Sequence, residues 1–229
     1  MRYNEFNQPI GDALPDFQKG EKPEAICLNG RFCRLEKLSA QKHGKDLFEV
    51  YSSSLENWTY IPLEPFSQEA ALIHYLEQLE QSNDPYYFAI IDKAAEQAVG
   101  TFSLMRIDLN NRAIEVGWVV FSPKMQRSKI GTEAHFLLAS YVFETLQYRR
   151  YEWKCDSLNR PSNQAALRLG FSFEGTFRRA QVYKGRSRDT NWYSMLDSEW
   201  EFKKQRLLRW LADDNFDENG VQKVALSAI

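Results

Sequence analysis

A short stretch of the chain, MQRSKIGTEA from Met125 to Ala134, places two bases, a serine and a glycine directly before an apolar-periodic segment, HFLLASYVFETL. This spacing predicts that a helix begins here. The first amides of a helix lack internal partners and the helix dipole favours negative charge there, so Gly131, Arg127 and Lys129 indicate a phosphate or pyrophosphate site. A second interpretation is an ordinary amphipathic helix capped by Ser128, with solvated bases.

The charge distribution supports a small anionic ligand. Residues 124–189 contain thirteen Lys or Arg against six Asp or Glu, although the whole chain has a net charge of −2. Nucleic-acid binding usually requires a basic domain, so a small polyanion held on one side of the fold fits this asymmetry better. Scattered surface charge is the alternative.

The remaining elements must position this stretch. AICLNGRFCRLEKL predicts a hairpin, SAQKHGKDLFEVYSSS and SQEAALIHYLEQLEQS predict two helices, and YYFAIID, AVGTFSLMRID and RAIEVGWVVF predict an antiparallel meander. After the helix of the opening stretch follow the strand YRRYEWKCD, the short helix RPSNQAALRLG, a strand pair turning near Lys184 and Gly185, and the amphipathic helix SEWEFKKQRLLRWL. This order predicts an α+β fold with a mixed sheet.

Length and composition limit the class of protein. The 229 residues, 43% of them hydrophobic and 14% aromatic, predict one globular domain, which we place at residues 25–212. Residues 1–24 are predicted to form an N-terminal arm on the domain surface, and residues 213–229 a C-terminal tail. No membrane-spanning run or signal peptide is recognised, so a cytoplasmic location is expected. The spacing of Cys27, Cys33 and Cys155 argues against disulfides and zinc, so reduced, buried cysteines are expected.

Five pieces of the chain carry a family resemblance: EVGWVV, QRSKIGTEAHFLLASYVFETL, RRYEWKCDSLNRPSNQAALRLGFSFEG, RDTNWYSML and SEW. With these pieces in this order, the chain resembles the GNAT acyltransferases, specifically the branch similar to the RimJ/RimL ribosomal-protein N-terminal acetyltransferases. The resemblance implies the GNAT fold, whose mixed, mostly antiparallel and twisted sheet splays at its centre and is flanked by helices. It also implies acetyl-CoA as co-substrate, an amine as acceptor and no metal. Direct binding of nucleic acid or membrane is not expected, and a homodimer is compatible with the resemblance.

The resemblance implies where coenzyme A binds. The family's pyrophosphate loop falls on residues 126–131, with Lys129 where the family usually has its first glycine, so this side chain must point away from the pyrophosphate or grip it. Asn159 matches an asparagine that commonly binds the pantetheine arm; capping the following helix is its alternative role. The implied cofactor-binding residues are Trp118, Val119, Val120, Gln126, Arg127, Ser128, Lys129, Ile130, Gly131, Thr132 and Asn159.

Acyl transfer to an amine needs a proton acceptor, an oxyanion donor and a proton for the leaving thiolate. Glu115 is the candidate base, because on a strand its side chain points to the face opposite to those of Ile114 and Val116. The alternative is that Glu115 is an ordinary glutamate that points outward from a half-exposed sheet. The RimL-like resemblance implies that Ser162, three residues after Asn159, donates to the departing sulfur, and capping the helix is its alternative role. Many other family members use a tyrosine four residues further on, where this chain has Ala166. Main-chain groups near Val119 are candidate oxyanion donors.

Aromatic residues between the two N-terminal helices are candidate walls of the acceptor site. Trp58, Tyr60 and Phe66 lie in the loop LENWTYIPLEPF, and a cluster that joins the helices is the alternative. The predicted function is acetyl transfer from acetyl-CoA to a primary amine, either a protein N-terminus or a small molecule. A non-catalytic acyl-CoA-binding or partner-docking module is the competing prediction, and thiol release from acetyl-CoA discriminates between the two.

Overall fold

Five helices and ten strands form the computed structural model, which describes residues 1–53, 55–125 and 128–229. The helices are α1 (Ala40–Ser52), α2 (Glu69–Glu80), α3 (Lys129–Ser140), α4 (Arg160–Leu169) and α5 (Asp197–Leu211). The strands are β1 (Arg2–Tyr3), β2 (Pro9–Ile10), β3 (Cys27–Asn29), β4 (Cys33–Lys37), β5 (Tyr86–Asp92), β6 (Gln97–Asp108), β7 (Ala113–Phe121), β8 (Arg150–Asp156), β9 (Ser172–Tyr183) and β10 (Arg186–Leu196). A 3₁₀ turn spans Leu55–Tyr60, and a π-helical turn, Tyr141–Thr145, extends α3.

The main sheet has eight strands in the order β3-β4-β5-β6-β7-β8-β10-β9. Every neighbouring pair is antiparallel except β7 and β8, which are parallel. The β3–β4 hairpin, the β5–β6–β7 meander and the β9–β10 pair confirm the predicted strands, and the mixed sheet confirms the predicted fold class. The single parallel pair arises because the connection from β7 to β8 runs through α3, as a parallel crossover requires.

Helices cover the two faces of the sheet unequally. The larger apolar core lies on the face that carries α3 and α5, and it includes Phe88, Phe102, Trp153 and Trp200. The smaller core lies on the opposite face under α1 and α2. Burial of this apolar surface on both faces is the main force that holds the helices against the sheet.

A buried carboxylate anchors the β3–β4 hairpin to α3. Glu133 accepts hydrogen bonds from the backbone amides of Arg31, Phe32 and Cys33 at 2.7–2.8 Å. A Cβ at Gly30 would lie 2.6 Å from a Glu133 oxygen, so this turn needs glycine for a close approach. Sequence reasoning missed this contact, because it joins residues about one hundred positions apart.

We expect Glu133→Gln to lower the free energy of unfolding by about 2 kcal/mol, because hydrogen bonds to a charged group contribute about 1.5–3 kcal/mol and the amide NH₂ would face backbone donors. Urea denaturation monitored by circular dichroism measures the change. Glu201→Gln, at an exposed position of α5, is the matched control, and equal midpoints for the two variants would contradict the anchoring role.

The N-terminal residues lie mostly in solvent. Almost all side chains of residues 1–16 are exposed, whereas the Gly20 amide bonds the Leu109 carbonyl and the Tyr141 hydroxyl accepts from Glu24 and Ala25. The arm therefore packs on the domain only from about residue 17 onward. The division at residues 24 and 212 stays a prediction.

The cysteines differ in their environment. Cys33 and Cys155 are buried as expected, but Cys27 is exposed, because it lies on the edge strand β3; the expectation of burial was wrong there. Within the described residues, no group of three or more His, Cys, Asp or Glu side chains is arranged to hold a metal ion. Nor does any helix in this part of the chain have the length and apolarity needed to cross a membrane.

Candidate active site

The sheet opens between its two central parallel strands. Pairing of β7 with β8 runs from Ala113 with Arg150 to Val116 with Trp153, although β7 continues to Phe121 and β8 to Asp156. The backbone groups of β7 beyond Val116 therefore face a gap instead of β8. An extended acyl-pantetheine chain can pair with such groups as an added strand does.

A bulge in β7 lies at this gap. Pairing with β6 shifts register between Gly117 and Val120, and Trp118 has a positive φ of 51°. Trp118 and Val120 contact the smaller core, whereas Val119 packs against the larger one. The bulge re-aims the peptide groups of Trp118 and Val119, which is the usual effect of bulges beside active sites.

Glu115 is buried immediately before the gap. Its side chain is only 6% exposed, and Oε2 lies 2.8 Å from Lys154 Nζ and 3.3 Å from an Arg106 guanidinium nitrogen. Burial raises the pKa of Glu115 above its ordinary value, and the charge of Lys154 opposes part of this rise. The outward, half-exposed glutamate offered as the alternative is therefore not what the structure contains. A buried carboxyl with a raised pKa is suited to accept a proton near neutral pH.

Lys154 is a buried partner that sequence reasoning missed. Its side chain is 6% exposed, its Nζ lies 2.7 Å from Glu152 Oε2, and it sits 3.7 Å from the ring centroid of Trp192. Polar residues at alternate positions of β8, namely Arg150, Glu152 and Lys154, were the available signal, since they share one face of the strand. The burial of this face by neighbouring strands was not visible in the sequence.

Ser162 lies on the opposite side of the sheet from Glu115. Its hydroxyl accepts a hydrogen bond from Trp153 Nε1 at 3.0 Å, and Trp153 belongs to the larger core. Accepting this bond leaves the hydroxyl proton of Ser162 free to be donated. The cap of α4 is Asn159, whose side chain accepts from the Ser162 amide at 3.2 Å. Helix capping is thus a role of Asn159 and not of the Ser162 side chain.

A second asparagine holds the start of α4 in place. The carboxamide nitrogen of Asn163 donates to three carbonyls, those of residues 156, 157 and 159. Its oxygen accepts from Tyr193, Asn191 and Cys155. Asn163 therefore fixes Ser162 relative to β8 and β10. Its sequence signal was weak, since it looked like one more polar residue of a short helix.

The start of α3 has the predicted capped geometry. Ser128 is the N-cap and accepts from the Gly131 amide at 3.2 Å, while the amides of Lys129 and Ile130 have no intrahelical partner by helix geometry. A Cβ at Gly131 would lie 2.8 Å from the Met125 carbonyl oxygen, so glycine is needed here because the preceding turn of the chain packs closely against it. Gln126 and Arg127 lie outside the described residues.

The Lys129 side chain turns toward the C-terminal tail. Its Nζ lies 3.9 Å from the ring centroid of Phe216 and 5.2 Å from that of Phe32. It lines a cavity of about 920 Å³ between α3 and the tail. The structure thus shows the Lys129 side chain between two aromatic rings, and the choice between pointing away from the pyrophosphate and gripping it stays a prediction.

The aromatic loop after α1 spans the open end of the sheet. The Tyr60 hydroxyl donates to the Leu158 carbonyl at 3.1 Å, and Lys184 Nζ donates to the Trp58 carbonyl at 2.8 Å. Arg186, also on the β9–β10 hairpin, donates to the Thr59 carbonyl. We call residues 55–66 the strap; it connects α1 and α2 with the far side of the gap.

The strap aromatics do not behave alike. Trp58 is 3% exposed and packs on Tyr51 at 5.3 Å between ring centroids, and Phe66 packs on Tyr75 of α2 at 5.2 Å. Trp58 and Phe66 thus occupy the cluster that joins the two helices, as the alternative expected. Tyr60 alone of the three reaches across to the turn before α4.

Comparisons with known proteins agree with this geometry. The Acetyltransferase (GNAT) domain family matches residues 34–172. The chain belongs to the GNAT acetyltransferases. A GCN5-related N-acetyltransferase from Brucella melitensis is 45% identical with a TM-score of 0.91, over 93% of this chain and 98% of that one. A probable GNAT acetyltransferase from Chromobacterium violaceum is 39% identical with a TM-score of 0.79, over 85% and 98% of the two chains.

Relatives also confirm the RimJ/RimL-like resemblance. The ribosomal-protein-serine acetyltransferase of Escherichia coli is 30% identical over 45% of this chain and 58% of its own length. The uncharacterized N-acetyltransferase p20 of Bacillus licheniformis is 29% identical over 68% of this chain and 88% of its own length. This GNAT protein is therefore an enzyme that transfers an acetyl group to an amine, with acetyl-CoA as co-substrate, and the non-catalytic alternative is not supported.

Proposed function

We propose that acetyl passes directly from acetyl-CoA to a primary amine at the gap between β7 and β8. The observation that carries this proposal is the buried Glu115 at the last paired residues before the gap, on the face opposite to Ser162. The thioester would lie between the strands, with CoA held by the start of α3 on one face. The amine would approach on the other face, beside α1 and α2.

The proposed mechanism assigns a group of the protein to each step of the transfer. The neutral amine nitrogen attacks the thioester carbon while Glu115 takes its proton, directly or through water. Main-chain donors near Val119 stabilise the oxyanion, and the C–S bond then breaks. Ser162 donates its proton to the departing thiolate and regains one from solvent.

The acceptor is proposed to be a slender chain that ends in a primary amine, with an extended protein N-terminus as the leading candidate. The strap bridges the open end of the sheet through Tyr60, Lys184 and Arg186, and such a bridge would favour a slender acceptor over a bulky one. The name of the Escherichia coli relative supports a protein acceptor. Small amines are the second candidate, and a homodimer stays a prediction that light scattering tests.

The decisive experiment measures thiol release from acetyl-CoA with two acceptor series of equal concentration. One series contains peptides with free N-termini and matched N-formyl controls, and the other contains small amines, amino acids and aminoglycosides. Turnover with free but not formylated peptides supports the proposed acceptor. Turnover restricted to small amines overturns the peptide acceptor, and absence of thiol release with every amine overturns the transfer.

We expect Ser162→Ala to slow the chemical step toward the low end of the roughly 10²–10⁴-fold range of positioned acids, because a CoA thiol leaves tolerably well without help. Rapid-quench transfer at saturating acetyl-CoA measures this step. The variant also leaves Trp153 Nε1 without its acceptor, so some loss of stability is expected and does not by itself test the role.

Glu144→Ala is the matched control for stability, because it likewise removes the side-chain acceptor of a buried indole, that of Trp200, while keeping the serine hydroxyl. An unchanged transfer rate in Ser162→Ala would remove this residue from the mechanism and leave solvent as the proton source.

A further inference from the structure

A buried cation lies against the carboxylate that serves as base in the proposed function. Lys154 Nζ is 2.8 Å from Glu115 Oε2, and both side chains are only 6% exposed. At such burial, the attraction between opposite charges is screened far less than it is at the protein surface. The protonation state of Glu115 therefore depends strongly on Lys154.

The contact between these two groups is an ion pair without the alignment of a hydrogen bond. Within residues 1–53, 55–125 and 128–229, Glu115 Oε2 is buried without a hydrogen-bond partner, although the Lys154 amine is close to it. A buried acceptor that lacks a donor costs free energy, so this oxygen is ready to receive one. Lys154 thus supplies charge to Glu115 and leaves an oxygen lone pair for the proton of an amine.

Neighbouring strands hold Lys154 at the edge of the gap. It directly follows Trp153, the last residue of β8 that pairs with β7. It lies opposite Trp192 in the pairing of β8 with β10, and its Nζ is 3.7 Å from the centroid of that ring. Glu152 Oε2 lies 2.7 Å from the same Nζ. An aromatic face and a second carboxylate thus keep the ammonium group beside Glu115, so the long side chain does not extend into solvent.

Other charges around Glu115 do not replace that of Lys154. From β6, Arg106 lies 3.3 Å from Oε2, but its side chain is 46% exposed, so solvent screens it. From β8, Glu152 repels the carboxylate. Burial raises the pKa of Glu115, and Lys154 opposes this rise more strongly than Arg106 does. Without Lys154, the carboxyl group would keep its proton to a higher pH and could not accept one from the amine there.

The charged side chains of α1, which covers the same face of the sheet, are exposed or bonded elsewhere. Lys45 and Glu49 are exposed, Lys42 and His43 contact Glu36, and Asp46 accepts from the Ala98 amide. Lys154 is therefore the buried cation on which the ionisation of Glu115 depends.

We propose that Lys154 is a positioning residue for acetyl transfer, because it keeps Glu115 ionised at the gap and leaves a Glu115 oxygen free to accept the proton of the amine. This inference rests on the proposed function, since it takes Glu115 as the base. Lys154 acts through Glu115 and does not contact the reacting atoms. The site residues predicted from the sequence did not include it.

The test compares the pH–rate profiles of Lys154→Met, Lys154→Arg and the native protein. The limb to follow is the one that disappears in Glu115→Gln. In Lys154→Met it should move to higher pH by about 1–3 units, the usual effect of losing an opposite charge at this distance. The rate at neutral pH should fall and recover as the pH rises. Lys154→Arg keeps the charge and should restore most of the native profile.

Lys203→Met is the matched control for the loss of a little-exposed lysine. The Lys203 side chain is 12% exposed and pairs with Glu199 on α5, away from the gap, so the native profile is expected. A limb at the native pH in Lys154→Met, with that limb absent from Glu115→Gln, would overturn the role of Lys154 alone. Full activity in Glu115→Gln would instead overturn the base of the proposed function.

A second variant keeps the proposal testable if Lys154→Met does not fold. The single change leaves Glu115 and Glu152 without their shared cation, which destabilises the protein. Lys154→Met combined with Glu152→Gln removes one charge of each sign. Its limb should still lie above the native pH, because Lys154 influences Glu115 more than Glu152 does. Thermal melts measure stability separately, and a lowered melting temperature with a native pH–rate profile would show that Lys154 is only structural.

Discussion

Replacing Glu115 with glutamine is expected to lower the rate of acetyl transfer by about 10²- to 10⁴-fold, the range typical of positioned acids and bases. Glutamine keeps the shape of the side chain but cannot accept a proton from the amine. The affinity for CoA should stay nearly unchanged, because Glu115 lies on the face away from α3. Single-turnover transfer and CoA calorimetry on the same preparation measure the two quantities.

The pH dependence provides an independent check on Glu115. Burial raises its pKa, and the base acts when deprotonated, so the native rate should fall as pH drops through that raised value. Glu115→Gln should lose this acidic limb and retain only the limb due to protonation of the acceptor amine. The pH–rate profile of the native protein should therefore show two limbs and that of the variant only one. Identical profiles would mean that the limb assigned to Glu115 belongs to the acceptor amine.

Glu152→Gln is the matched control for Glu115. Glu152 contacts the same Lys154 amine at 2.7 Å, but its carboxylate is shared with Arg150. If catalysis requires a carboxylate at the position of Glu115 beside the gap, Glu152→Gln keeps most of the rate of acetyl transfer. A similar loss in both variants would point instead to the ion-pair network as a whole, and full activity in Glu115→Gln would make Glu115 structural.

Substituting Gly131 with alanine is expected to weaken CoA binding by more than about 100-fold. The added methyl group would meet the Met125 carbonyl oxygen at 2.8 Å, so the turn before α3 must shift and its amides must move away from the pyrophosphate. Loss of two hydrogen bonds to a charged group, at about 1.5–3 kcal/mol each, accounts for this magnitude. Calorimetry with CoA measures the change.

Alanine tests Gly131 better than aspartate does. Aspartate adds both a charge and the same clash, so its effect would not separate electrostatics from displacement of the turn. Gly11→Ala is the matched control, since a Cβ at Gly11 meets nothing within 4 Å. Native-like CoA affinity in Gly131→Ala would show that the turn before α3 does not hold the pyrophosphate.

Periodic and local features of this protein could be predicted from its sequence. The short apolar runs of β5, β6 and β7, the apolar stripe of α3 and the turn glycines specify elements through contacts between near neighbours. The Ser128 cap and the helix end of Gly170 belong to the same class, since capping uses residues within one turn. The family resemblance added the splayed centre of the sheet and the co-substrate.

Tertiary structure alone decided which polar residues share a site. Lys154 meets Glu115 because β7 and β8 pair in parallel for four residues and then separate. Arg168 of α4 reaches Thr132 of α3 through one long side chain. The role of Asn159 as cap, leaving the Ser162 hydroxyl to Trp153, depended on the same packing. Such contacts join residues far apart in sequence. Their energies come from burial and from charges that are brought together only in the folded chain, so no local sequence pattern predicts them.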